Sequence, residues 1–207
     1  MTEWFNTLRM LTASGDVMLL CTATTGLRKS DQVLAIAYTK YDQDEQTETN
    51  TLFRMVSTDA LQSAAEYHRI TKDVMLANAQ SDDAIKKTLT EAMRGCTIFT
   101  YSVPFQRKAL TEMSGGFIDI ISPMCDLPLW LKAGQSRMPF AVDLPIDVAD
   151  KQIARKLTAF PWKTCLNMYN IVPEAPAGIL PVTYNVMALS RLYQQLWEQP
   201  PEILLAD

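Results

Sequence analysis

Apolar positions follow one another without interruption from Val17 to Cys21, whereas from Val33 to Tyr41 the residues Leu34, Ile36 and Tyr38 alternate with Ala35, Ala37 and Thr39. Together with Thr49 to Val56 these patterns predict three strands, Val17–Ala23, Val33–Tyr41 and Thr49–Val56. The turns between them are short and polar, Asp42–Gln46 among them. Connections this brief suit antiparallel hairpins and leave no room for crossover helices. The period then changes to that of a helix. Ser57-Thr58-Asp59 caps a helix through about Ala65, and Thr71 starts another. Ser81-Asp82-Asp83 opens a longer one, with Ile85, Leu89, Ala92 and Met93 on one face. Cys96 to Tyr101 predicts a fourth strand, Pro104 to Met113 a helix, and Phe117 to Ile121 a fifth strand.

At the start of the chain, Trp4, Phe5, Leu8 and Leu11 share one face of a short helix over residues 2–12. Beyond the fifth strand, Met124–Ala133, Ala149–Phe160 and Trp162–Tyr169 predict short helices, and Gly134 to Pro145 shows little periodicity. The last helix runs from Thr183 to Trp197, with Val186, Leu189, Tyr193 and Leu196 in register, and Pro200-Pro201 ends it. Three antiparallel strands followed by alternating helices and strands define an α/β layer fold, a mixed sheet with helices on its faces.

Composition narrows the classes. With 207 residues, 48% of them apolar and 20% charged, one core suffices and a single domain is expected: core 15–198, tail 199–207. A net charge of -4 gives no global footprint for duplex nucleic acid, which leaves local basic patches as the route to phosphate. Cys21, Cys96, Cys125 and Cys165 are far apart, and the first and second lie in apolar runs. They read as buried, reduced thiols of a cytoplasmic protein. The N-terminus is unlike a signal peptide, and no apolar run reaches the roughly 18 residues of a membrane span.

Four stretches carry a likeness. Cys21-Thr22-Ala23-Thr24-Thr25-Gly26-Leu27 has the frame D-x-E-T-T-G-L at the end of a strand. Tyr67-His68-Arg69-Ile70-Thr71 has the frame H-G-I-T before a helix. Tyr101-Ser102-Val103-Pro104-Phe105-Gln106 follows the fourth strand as H-N-x-x-F-D does, and Asn185-Val186-Met187-Ala188-Leu189-Ser190 matches H-x-A-L-x-D in the last helix. In this order and spacing the chain resembles the DnaQ-like 3′–5′ exonucleases of the DEDD superfamily. The resemblance implies a ribonuclease H-like fold with a five-stranded mixed sheet in the order 3-2-1-4-5.

That family cuts phosphodiesters with two divalent metals clamped by carboxylates. In this chain the acid positions of the motifs fall on Cys21, Ala23, Gln106 and Ser190, and the general-base histidine on Asn185. A thiol, a methyl, an amide and a hydroxyl offer a hard cation no anionic oxygen, so no metal and no catalytic residue is expected here. Asp16 stands five residues before Cys21, ~16 Å away at ~3.3 Å per strand residue, and cannot replace an acid. Asp119 and Asp126 read as capping or surface acids. His68, the single histidine, reads as a hydrogen-bonded turn residue.

The expected function is therefore that of a pseudo-exonuclease, a binding or assembly module without a cofactor. Thr24, Thr25, Gly26, Leu27, His68 and Phe105 remain as a substrate-binding remnant, and Arg28, Lys29, Arg107, Lys108 and Arg191 stand beside the motifs as phosphate contacts. Two partner classes stay open: a single-stranded nucleic-acid end or nucleotide, and a protein or second copy. For the latter, the methionines and Leu192, Tyr193, Trp197, Ile203, Leu204 and Leu205 would supply an adaptable apolar surface. The alternative is residual magnesium- or manganese-dependent 3′–5′ exonuclease activity through other ligands, such as Asp143, Asp147 and Asp150.

Overall fold

The computed structural model describes residues 15–26, 31–42, 45–114, 123–135 and 161–198. Strand β1 (Val17–Thr24) pairs antiparallel with β2 (Val33–Asp42), which pairs antiparallel with β3 (Glu45–Arg54). On the other side of β1 lie β5 (Thr97–Thr100) and β6 (Met124–Asp126), both parallel to their neighbours, and the two-residue β4 (Ala79–Gln80) edges β3. The described sheet has the order β4-β3-β2-β1-β5-β6. Without β4 this is the expected 3-2-1-4-5.

β1 is central and has helices against both faces, which is why its sequence is continuously apolar. Val17, Leu19, Cys21 and Ala23 join the core beneath the long C-terminal helix α8 (Pro181–Glu198), together with Leu189 and Tyr193. Met18 and Leu20 point the other way, into a second core with Ile85, Leu89 and Met93 of α4 (Asp82–Met93) and Leu110 of α5 (Val103–Ser114). The four predicted positions of α4 are the buried ones.

Helix starts obey local chemistry. Ser57, Thr71 and Ser81 each accept through their side-chain oxygen from the backbone N–H three residues on, capping α1 (Thr58–Gln62), α3 (Lys72–Asn78) and α4. The helix expected to continue to Ala65 stops at Gln62, because Ser63 turns extended (φ −63°, ψ 128°) and Ala64 follows it left-handed at φ 56°. A separate single turn, α2 (Ala65–His68), follows it. α8 begins two residues earlier than expected, on Pro181, whose ring suits a first helical position.

One expectation is overturned: Met124 does not start a helix. Met124, Cys125 and Asp126 form β6, paired with Ile98, Phe99 and Thr100, and α6 (Leu127–Gln135) starts only after Asp126. The first two side chains are as buried as a helix core would make them, and Asp126 caps α6 by accepting from Leu129 N at 3.1 Å. The apolar surface proposed for the C-terminus is also corrected in part. Leu192 and Tyr193 are fully buried, with the Tyr193 ring 5.0 Å from that of Tyr41. The helices expected over 2–12 and 149–160, the strand expected over 117–121, and Asp119, Asp143, Asp147, Asp150, Ile203, Leu204 and Leu205 lie outside the described residues, as does the side chain of Trp197. All four cysteines are buried and none is in a disulfide, and no described helix is long and apolar enough to cross a membrane.

Candidate functional site

Because β1 and β5 are parallel, both chains leave the sheet at the same edge, the place where open α/β sheets collect their ligands. β1 exits through Thr24–Gly26, and β5 exits through Tyr101 and Ser102 into α5. The N-terminus of α8 and the single turn α2 close over the same edge, around a cavity of about 700 Å³. From β1 it is lined by Thr22, Ala23, Thr24 and Gly26. Tyr101, Ser102 and Phe105 line it from the β5–α5 junction, and Pro181, Val182 and Asn185 from α8. Ala64, Tyr67 and His68 complete the described wall.

Local hydrogen bonds hold this edge in shape. Thr25 N donates to Gln32 O at 2.9 Å and Gln32 N returns a bond to Thr25 Oγ1 at 2.9 Å, while the Thr24 hydroxyl donates to Gly26 O. A Cβ at residue 26 would lie 2.6 Å from Asp31 Oδ2, so any larger residue there requires the Asp31 carboxylate to move. His68 is buried with both ring nitrogens in use. Nε2 lies 3.1 Å from the carbonyls of Leu61 and Ser63, and Nδ1 accepts from Ile70 N at 3.0 Å, so the neutral tautomer with hydrogen on Nε2 satisfies every contact.

Asn185 stands at the centre of an aromatic cluster. Trp162 of α7 (Trp162–Met168) donates through Nε1 to Asn185 Oδ1 at 3.2 Å, and Asn185 Nδ2 donates to the Tyr101 hydroxyl at 3.3 Å. The Tyr101 and Trp162 rings stack at 4.6 Å with 14° between their planes. Burial, then the neighbouring Cys21, push the Tyr101 hydroxyl above its ordinary range against the opposing pull of Asn185, so it stays protonated. Cys21 itself is fully buried, and burial lifts its thiol well above the usual range.

No protein-family model and no curated protein matches this sequence. Solved structures do. An exonuclease I from Methylocaldum szegediense superimposes on 92% of this chain and 42% of its own, at 15% identity and a TM-score of 0.58. The zinc-bound E. coli exonuclease I–ssDNA complex covers the same shares at 12% identity and a TM-score of 0.61. Exonuclease X in complex with 5′-overhanging duplex DNA matches at 13% identity over 90% of this chain and 95% of its own, with a TM-score of 0.52. The fold is shared with exonucleases I and X. The chain spans less than half the length of the exonuclease I chains and nearly all of exonuclease X.

Within this exonuclease-type fold the motif positions occupy the expected edge to different depths. Ala23 and Asn185 line the cavity. Gln106 lies behind its wall, fully buried, with Oε1 accepting from Thr22 Oγ1 at 2.8 Å and Nε2 without a partner among the described residues. Ser190 is buried one helical turn beyond Val186, to whose carbonyl it donates at 2.9 Å. Thr24, Gly26, His68 and Phe105 line the cavity, whereas Thr25 is buried in the turn beside it. Of the basic residues, Lys108 lines a smaller neighbouring recess with Asp31 and Glu112. Arg191 is exposed on α8, Arg107 is half-buried on α5, and Leu27, Arg28 and Lys29 lie outside the described residues.

The acids weighed as substitutes are elsewhere. Asp16 sits at the opposite end of β1, 3.8 Å from Lys40 Nζ. Asp126 holds Ser102 N at 2.8 Å and caps α6, which is structural work. Among the described residues, no three of His, Cys, Asp or Glu come close enough together to hold a metal. The donor set does not fit a hard cation: a neutral thiol, a methyl, and an amide and a hydroxyl already bonded within the protein. The aromatic pair Tyr101–Trp162 and the wall residues Thr22, Tyr67 and Val182 do not figure among the sequence candidates. Their convergence joins segments 20 to 160 residues apart, and no local pattern marks it.

Proposed function

We propose that the chain is a binding domain built on an exonuclease-type scaffold, one that takes the end of a single-stranded nucleic acid in its cleft without cutting it. The observation that carries this reading is the cavity at the shared carboxyl edge of β1 and β5, kept open and bounded by neutral side chains where the family resemblance implies carboxylates. Hydrolysis by two metals requires anionic ligands to lower the pKa of a bound water, and neither Cys21 nor Asn185 can supply that chemistry. The scaffold itself does not need metal to hold a strand, as a metal-free form of the E. coli exonuclease I–ssDNA complex has been solved. Phosphates of the strand outside the cavity then fall to basic residues adjacent to the motifs in sequence, Arg28, Lys29, Arg107, Lys108 and Arg191.

Two measurements on the purified chain test this. Labelled single strands incubated with magnesium or manganese are expected to keep their length. Shortening that dies in EDTA and survives Gln106→Ala would overturn the reading and restore the alternative of unrecognised metal ligands. In EDTA the same strands are expected to bind with an affinity that falls as salt rises, and Arg191→Glu is expected to reduce the salt slope by about 1. Absence of binding in EDTA at low salt rejects the nucleic-acid reading. Exonuclease I is also known in a complex named ExoI/SSB-Ct, so a protein ligand is the reading that failure would leave.

A further inference from the structure

The cavity differs from a phosphate site in its chemistry. None of the described residues lining it carries a formal charge, and His68, the one titratable nitrogen base among them, spends both nitrogens on backbone groups. At the helix starts that reach it, Phe105 N and Gln106 N already donate to Ser102 O, and α8 begins on a proline, which has no N–H. The walls instead offer flat apolar surface: Tyr67, Phe105 and Tyr101, the last backed by Trp162.

One polar group is aimed and unspent. The hydrogen bonds run in one direction, from Trp162 Nε1–H to Asn185 Oδ1 and from Asn185 Nδ2–H to the Tyr101 oxygen. The chain ends there, and the hydrogen of the Tyr101 hydroxyl has no acceptor among the described residues. Burial keeps the hydroxyl a neutral donor, and accepting from Asn185 polarises it further.

Backbone strain is concentrated at the same place. Among the described residues four non-glycines have positive φ, and two of them, Ala64 at 56° and Ser102 at 57°, line this cavity. Arg69, at 54°, closes the turn that begins at Ala64, and between them Tyr67 is held 74% exposed at the mouth. Strain persists where the surrounding structure enforces it, as in ligand clamps. Here Asp126 does so for Ser102, by accepting from its N–H. An aromatic ring held out in water over a cavity of about 700 Å³ is a stacking surface awaiting a partner.

We infer that the cavity receives an uncharged planar ring carrying a carbonyl, a ligand of nucleoside size, stacked on the aromatic wall and hydrogen-bonded through its carbonyl to Tyr101, with any phosphate left outside. This rests on the reading of the cleft as a metal-free binding site. The same chemistry is presented by a free nucleoside and by the terminal nucleoside of a strand, and the test separates them.

Isothermal titration of the full chain in EDTA with thymidine, thymidine 5′-monophosphate and a short oligothymidylate provides it. Thymidine is expected to bind saturably, with the monophosphate no tighter. Tyr101→Phe keeps the ring on Trp162, deletes the donor, and is expected to weaken thymidine binding about tenfold. An oligonucleotide that binds tenfold or more tightly than thymidine identifies a strand end as the source, and equal affinities identify a free nucleoside. The inference is overturned if thymidine does not bind, if the monophosphate binds tenfold or more tightly than thymidine, or if Tyr101→Phe binds like the parent chain. In the first two cases salt-dependent oligonucleotide binding would still leave the broader reading standing. Should Tyr101→Phe fail to fold, the parent chain decides the matter: saturating thymidine is expected to change tryptophan emission, and that change is expected to be absent in Trp162→Phe.

Discussion

Gln106 stands where the family resemblance implies an acid, and its side chain belongs to the interior of the protein. Its side chain is fully buried, half satisfied by the Thr22 hydroxyl and half unpartnered among the described residues. A buried polar group without a partner costs about 1–3 kcal/mol, whereas replacing both members of a pair with apolar groups of similar shape is nearly neutral. Thr22→Val is therefore expected to destabilise by about 1–3 kcal/mol, because it leaves the whole amide unsatisfied. The double variant Thr22→Val, Gln106→Leu is expected to lose less than the sum of the two single losses. Urea unfolding of the four chains measures the coupling, and strict additivity would mean that the 2.8 Å bond contributes nothing. Asn185 is likewise tied into the protein, its Oδ1 accepting from Trp162 and its Nδ2 donating to Tyr101.

At the scale of elements, α4 was the most legible part of the chain. Its cap residue, its acidic first turn and its buried stripe all follow from nearest-neighbour chemistry. Ser81→Ala is expected to cost about 1 kcal/mol through the orphaned Ala84 N–H, and Leu89→Ala about 2–5 kcal/mol through a cavity in the second core, both read from urea midpoints. A smaller effect at Leu89 than at Ser81 would contradict the packing described here. β1 and β2 were legible for a related reason, since strands covered on both faces have few polar positions. β6 was not. Three residues are too few to show a period, and Met124 and Cys125 are apolar in either state, so what decides for strand is pairing with β5, 26 residues earlier in sequence. The site divides the same way. The motif residues along β1 and at the start of α8 were readable from spacing, whereas the Tyr101–Trp162 stack and Tyr67 at the mouth depend on segments that meet only in the folded chain.

For the molecule as a whole, the question is whether one scaffold can exchange a metal site for a neutral pocket without changing its fold. The positions where the family resemblance implies metal ligands are closed to water: Cys21 and Gln106 are fully buried, and Ala23 and Ser190 are 8% exposed. Carboxylates returned to such places repel one another and lose hydration, and without a counter-ion each would have a raised pKa. A chain carrying Cys21→Asp, Ala23→Glu, Gln106→Asp, Asn185→His and Ser190→Asp together is then expected to melt well below the parent in EDTA at neutral pH. It should recover part of that loss as pH falls toward 4, because an acid with a raised folded pKa stabilises the fold below its unfolded value and loses that contribution as pH rises. Manganese is expected to stabilise it through binding that only the folded state offers, by about 2.7 kcal/mol at a hundredfold excess over Kd, and so to raise its melting temperature while leaving the parent chain unmoved. If the five-fold variant melts at the same temperature with manganese and with EDTA, the five positions do not surround a common site, and the assignment of the cleft to an abandoned metal centre fails with them.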